Sequence, residues 1–191
     1  MNAHLKERLN GMLPRLVSDT FLRGTELGGE INFHIFDYPP DEELEIRQHI
    51  RHLMEQLPKH HRDLRVRQID LFDFVIAYLR ERNVLDRALS LQREKGDRAL
   101  LEALRAPLQP ERLAQRLISV VQPAETDLVL IYGVGRIWPL LRAHTLLNNL
   151  HAAMGRTPLV LFYPGVYDGQ SLKLFGKIGG ANYYRAFKLT P

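Results

Sequence analysis

The run Leu128 to Val134, LVLIYGV, carries no charged side chain and no alternation of apolar with polar residues. A strand half exposed to water alternates, whereas one covered on both faces reads as a continuous apolar stretch, the pattern of parallel sheets flanked by helices. A second such run, Leu159 to Phe162, lies downstream. Both fall far short of the roughly 20 residues that cross a bilayer, so they predict buried strands and no membrane span. A leading segment that mixes Lys6, Glu7, Arg8, Arg15 and Asp19 into its leucines lacks the apolar centre of a secretory signal, and a cytoplasmic location is expected.

Around these runs the apolar period switches repeatedly between two and 3.6 residues. Leu5, Leu9, Met12, Leu13 and Leu16 predict an opening helix, with Pro14 placed to kink or divide it. Strands are predicted at Ile31 to Tyr38, Leu64 to Leu71, Leu128 to Val134, Leu159 to Tyr163 and Tyr183 to Leu189. A helix after Pro40 carries Ile46, Ile50, Leu53, Met54 and Leu57, and another starts near Asp73 with Asp73 as its cap. Charged residues around Gly96 predict an exposed turn, followed by largely solvent-facing helices holding Leu100, Leu101, Leu104 and then Leu113, Leu117 and Val121. Pro139 fits the first turn of the helix that follows. Strands joined by helical crossovers pair in parallel. The expectation is therefore one α/β domain over residues 1–191. It is a three-layer sandwich on a mostly parallel sheet of about five strands, with extra helices in the middle third and an N-terminal helical segment, 1–24, packed on it.

The chain has no cysteine, which removes disulfides, thiolate catalysis and Cys-ligated metal or iron–sulfur sites. Its net charge of +4 is unevenly spread: residues 32–59 are acidic, while 141–191 hold six basic residues against one acid, Asp168. That polarity suits an acidic partner, but six cations over this length are dilute for a DNA-binding arm. Arg142, Lys173, Lys177 and Arg185 would carry any nucleic-acid contact.

Tyr132 to Arg136, YGVGR, lies at a strand-to-helix turn, where open α/β sheets bind ligands and free amides attract anions. Gly133, Gly135 and Arg136 are its candidate nucleotide or anion residues, although Ile137 and Trp138 stand where a phosphate loop needs Lys and Ser or Thr. The two glycines equally serve a tight turn. Asp37 and Asp70 each end a strand and would share a cation only if those strands were neighbours; capping is the simpler role for both. His49, His52, His60 and His61 read as a solvated helix face and its end. No Ser, His and Asp set or nucleophile elbow is present, so no catalytic residue, metal or cofactor is assigned. In the helix after Pro139, Arg142 and Asn149 flank an ordinary core stripe and are suited to directional contacts. From Tyr163 to Arg185, glycines alternate with tyrosines and basic residues; Tyr183, Tyr184 and Arg185 are of types favoured at recognition surfaces.

The blocks FHIFDYPPDEEL, LVLIYGVGRIWPLLRAHTLLNNL, PLVLFYPGVYDG and NYYRAFKL, in this order, resemble the BrxB family, a component of bacterial BREX phage-defence systems. The likeness covers residues 21–191. It implies a non-enzymatic accessory protein acting beside a methyltransferase, a large ATPase and the phosphatase-like PglZ, with PglZ the first expected partner among the BREX proteins and nucleic acid reached through the complex. The leading expectation is a protein-binding adaptor. A degenerate nucleotide-binding domain and a direct DNA-binding component are the alternatives.

Overall fold

The computed structural model describes residues 3–25, 32–179 and 186–190. Its sheet contains β1 (Phe33–Tyr38), β2 (Val66–Asp70), β3 (Leu128–Tyr132), β4 (Leu159–Tyr167), β5 (Leu172–Leu174) and β6 (Phe187–Lys188). The order is β2-β3-β4-β1-β6 with every pairing along that path parallel, and β5 adds antiparallel to the far half of β4. The longest pairing runs from Phe33 opposite Leu159 to Tyr38 opposite Pro164.

Successive strand residues point to opposite faces, and both faces are apolar here. Phe36, Leu128, Leu130, Val160 and Phe162 meet α1 (Ala3–Asn10), α2 (Met12–Leu16), α3 (Asp19–Leu22) and α4 (Glu43–His60). Ile35, Ile69, Val129, Ile131, Leu159 and Leu161 meet α5 (Leu71–Glu81), α7 (Pro110–Val121), α8 (Val134–Ile137) and α9 (Ala143–Met154). The result is the three-layer α/β sandwich that the continuous apolar strands imply. Between α5 and α7 runs α6 (Leu85–Arg105), broken at Gly96, whose φ of 79° is left-handed. No helix among the described residues is long and apolar enough to cross a membrane.

Several elements differ in detail from the sequence expectation. The opening helix divides at Gly11 and not at Pro14, which sits third in α2, where its missing N–H has no helical partner to lose. The helix expected near Asp73 starts at Leu71, and its cap is Asp70: Oδ1 accepts from the amides of Phe72 at 3.0 Å and Asp73 at 3.4 Å. α6 is largely exposed, but α7 is not solvent-facing, since Leu113, Ala114, Leu117 and Val121 are all buried in the core shared with α9. Pro139 precedes α9 by a turn, in the connection from α8. β4 runs four residues past Tyr163, and β5, absent from the expectation, folds back on it.

Candidate functional site

The carboxyl ends of parallel strands are where such sheets present functional groups, and most of the candidates cluster there. Asp37 at the end of β1 and Asp70 at the end of β2 are separated by two intervening strands, β3 and β4, so they do not share a cation. Each carboxylate has its own cation instead. Arg8 of α1 donates to Asp37 Oδ1 at 2.8 Å and to the Asp37 carbonyl at 2.8 Å, while its Nε reaches Thr190 Oγ1 at 3.1 Å. Asp37 Oδ2 accepts from the Tyr167 amide at 3.0 Å, with Lys188 Nζ 3.9 Å away. The N-terminal helix, β1, β4 and the last strand thus meet on one buried ion pair.

Asp70 binds the turn after β3. Arg136 donates to Asp70 Oδ2, and its guanidinium lies 5.0 Å over the Phe72 ring. Gly133 has φ +82°, and a Cβ there would sit 2.7 Å from Asp70 Oδ1. Gly135 is held against Phe175 and Pro164. Of the anion candidates, Gly133 and Arg136 therefore face an internal carboxylate, while Gly135 packs away from it.

The crevice between β1 and β4 is a topological switch point, because β1 leads to α4 on one face while β3 and β4 lead to α8 and β5 on the other. It opens as a cavity of about 350 Å³ lined by Arg8, Asp37, Pro39, Val166 and Phe175. Its charged groups are already paired with one another.

A second, smaller cleft lies between α8, the start of α9 and β5, with a volume near 90 Å³. Buried Val134, Leu141, Tyr163, Leu172 and Leu174 form its floor. At its rim Trp138 is 40% exposed and Ile178 is 39% exposed, although both are large apolar residues. Arg142 and His144 complete it. Arg142 is exposed at the N-cap position of α9 and makes no capping bond through its side chain. Burial first, and then the Arg142 charge, lower the pKa of His144. Lys173 packs beside this cleft, its Cγ against Gly179, and Lys177 is exposed in the turn leading to Ile178.

Of the residues selected as partner-binding, Arg142 lines the cleft, whereas Asn149 is half-buried and donates to the Thr145 carbonyl at 2.9 Å within α9. Tyr183, Tyr184 and Arg185 lie outside the described residues. The upstream tyrosines of the same segment are core: Tyr163 and Tyr167 are buried, and the Tyr167 hydroxyl donates to the Ala186 carbonyl at 2.9 Å and accepts from the Ala186 amide at 3.0 Å. Sequence reasoning missed Trp138 and Ile178 as surface features. The available signal was a lone tryptophan in a strand-to-helix connection, where core packing has least hold on it.

The family model described as "BREX protein BrxB" matches residues 67–189. A BREX protein BrxB of Bacillus cereus (strain H3081.97) is 40% identical over 189 residues, covering 97% of both chains. The chain belongs to the BrxB family. A second BrxB, from Escherichia coli O9:H4 (strain HS), is 37% identical over 187 residues, covering 98% of this chain and 92% of its own. No solved structure matches. Both BrxB relatives extend the likeness through α1 to α4, well before the segment the family model matches.

Proposed function

We propose that this BrxB-family chain is a cytoplasmic, non-catalytic component of a BREX phage-defence system, working as a protein-binding adaptor whose first partner is the PglZ phosphatase-like protein. The observation that carries this reading is the contrast between the two kinds of surface at the strand ends. Asp37, Asp70, Arg8 and Arg136 are committed to one another, which leaves little free chemistry there for turnover. Next to them, Trp138 and Ile178 stand open beside an exposed arginine. Tryptophan and arginine are the side chains that dominate binding energy at protein interfaces, and an isolated apolar rim of this kind is covered when a partner docks.

Co-expression of the chain with its neighbouring PglZ protein, followed by size-exclusion chromatography with light scattering, tests the reading. A complex of defined mass at micromolar concentration is the expected result. Two separate peaks over the same range would reject PglZ as the partner.

A further inference from the structure

We infer that the cleft between α8, the N-terminus of α9 and β5 receives a partner segment in which one apolar side chain is flanked by aspartates or glutamates. The inference rests on the adaptor reading and names the chemistry of what it binds.

Size decides the first part. Pockets for small molecules and cofactors span about 300–1,000 Å³, and an apolar cavity of about 150 Å³ takes benzene. The cleft, near 90 Å³, holds one anchoring side chain and little more. Its floor of Val134, Leu141, Tyr163, Leu172 and Leu174 is buried and largely apolar, and its rim residues Trp138 and Ile178 are exposed. This is the form of an anchor pocket, where a partner's apolar side chain loses contact with water at the centre of an interface.

Charge decides the second part. Among the described residues no aspartate or glutamate lines the cleft, while Arg142 does; Lys173 borders it beside Gly179, and Lys177 is exposed next in sequence to the rim residue Ile178. The single acid in residues 141–191, Asp168, is consumed locally: its carboxylate accepts from the Gln170 amide at 2.9 Å, the Ser171 amide at 2.7 Å and the Ser171 hydroxyl at 2.7 Å. The amide end of α9 adds its partial positive charge to the same mouth. A segment with carboxylates beside its anchor complements this field, which speeds encounter and repels basic competitors. A nucleic acid would also be attracted, but tracking a phosphate backbone takes a continuous groove of cations with aromatic platforms. Here one rim tryptophan is exposed, the Tyr163 ring is buried in the floor, and the cations beside them are few.

The test uses the full chain and the PglZ protein as probe, with dissociation constants measured by interferometry for wild type, Arg142→Glu, Trp138→Ala and Arg112→Glu, a control at an exposed residue that does not line the cleft. Thermal denaturation of each variant establishes that it is folded. Arg142 is exposed, so its reversal keeps the test informative even if Trp138→Ala loosens the cleft. The expected result is at least tenfold weaker binding for Arg142→Glu and Trp138→Ala, with Arg112→Glu within twofold of wild type. Wild-type affinity in folded Arg142→Glu and Trp138→Ala would overturn the inference while leaving the adaptor reading standing, since docking would then lie elsewhere. Absence of binding by the wild type would end the inference and reject PglZ as the partner. A parallel titration with a 40-nucleotide single-stranded DNA covers the remaining source: loss of DNA binding in Arg142→Glu with intact PglZ binding would assign the surface to nucleic acid and overturn the inference.

Discussion

Among single residues, His34 carries the clearest pH signature. It is buried near the start of β1, with the Phe21 ring 4.6 Å away and Phe187 at 5.9 Å. Asn32 fixes its tautomer: the Asn32 amide nitrogen donates to the carbonyls of Phe21 and Arg156, so Oδ1 must accept, and His34 Nε2, at 2.8 Å, carries the proton. Burial, followed by the charge of Arg15, lowers the His34 pKa from 6.5 to about 4. Between those values the unfolded chain binds a proton that the folded chain refuses. Stability is therefore complete above pH 6.5 and declines as the pH falls to about 4, a loss bounded at roughly 3 kcal/mol. His34→Gln removes this titration. Urea unfolding at pH 7.0, 5.5 and 4.5 should show a shallower decline for the variant, while parallel declines would show that His34 contributes none of it. Nothing in the sequence around FHIF marks this histidine, because its environment is assembled from α3, the chain following α9 and the last strand.

At the level of elements, the ribbon formed by β4 and β5 depends on one close approach. Gly165 pairs with Leu174, and a Cβ at Gly165 would overlap the Lys173 carbonyl and lie 3.0 Å from the Phe175 amide, both backbone groups that cannot swing aside. Gly165→Ala should therefore cost about 1–3 kcal/mol, the range for overpacking. It should also speed amide exchange at Gly165 and Tyr167 more than in β3, which mass-resolved hydrogen exchange reads directly. Equal protection in both strands would show that the ribbon absorbs the methyl group. The sequence reveals this glycine but not its purpose, since β5 spans only three residues and its signal is lost among turn residues. Longer elements were legible: α4 and α9 follow their apolar stripes, and LVLIYGV gives β3 with an accuracy of two residues at its end. The cap of α5 was displaced from Asp73 to Asp70 because both are acidic and only the strand end distinguishes them. Arg142 was legible as a flanking polar residue, whereas the cleft beside it was not. That cleft exists only because β5 folds back towards α8.

Across the whole molecule, the layered class follows from apolar runs, but strand order does not. β1 lies beside β4 across more than 120 residues of chain, and no local pattern encodes such a pairing. The same long reach ties the N-terminal helices to the sheet. Leu5, Leu9, Met12, Leu16 and Phe21 are almost entirely buried against Phe36, Leu130, Val160 and Phe162. At roughly 1.5–3 kcal/mol for each large apolar side chain, their contact contributes on the order of 10 kcal/mol gross, comparable with the net stability of a whole domain. Removing them also takes Arg8 away from Asp37 and leaves its carboxylate with only the Tyr167 amide and the more distant Lys188, a further loss of stability. A chain beginning at residue 25 should therefore be recovered as aggregate, or as a species without a cooperative thermal transition. This should hold even though the matched family segment, 67–189, is untouched by the deletion. A truncated protein that is monomeric and melts cooperatively near the full-length midpoint would mean that α4 covers that face of the sheet alone. The N-terminal helices would then be an attachment to the fold and not a part of its core.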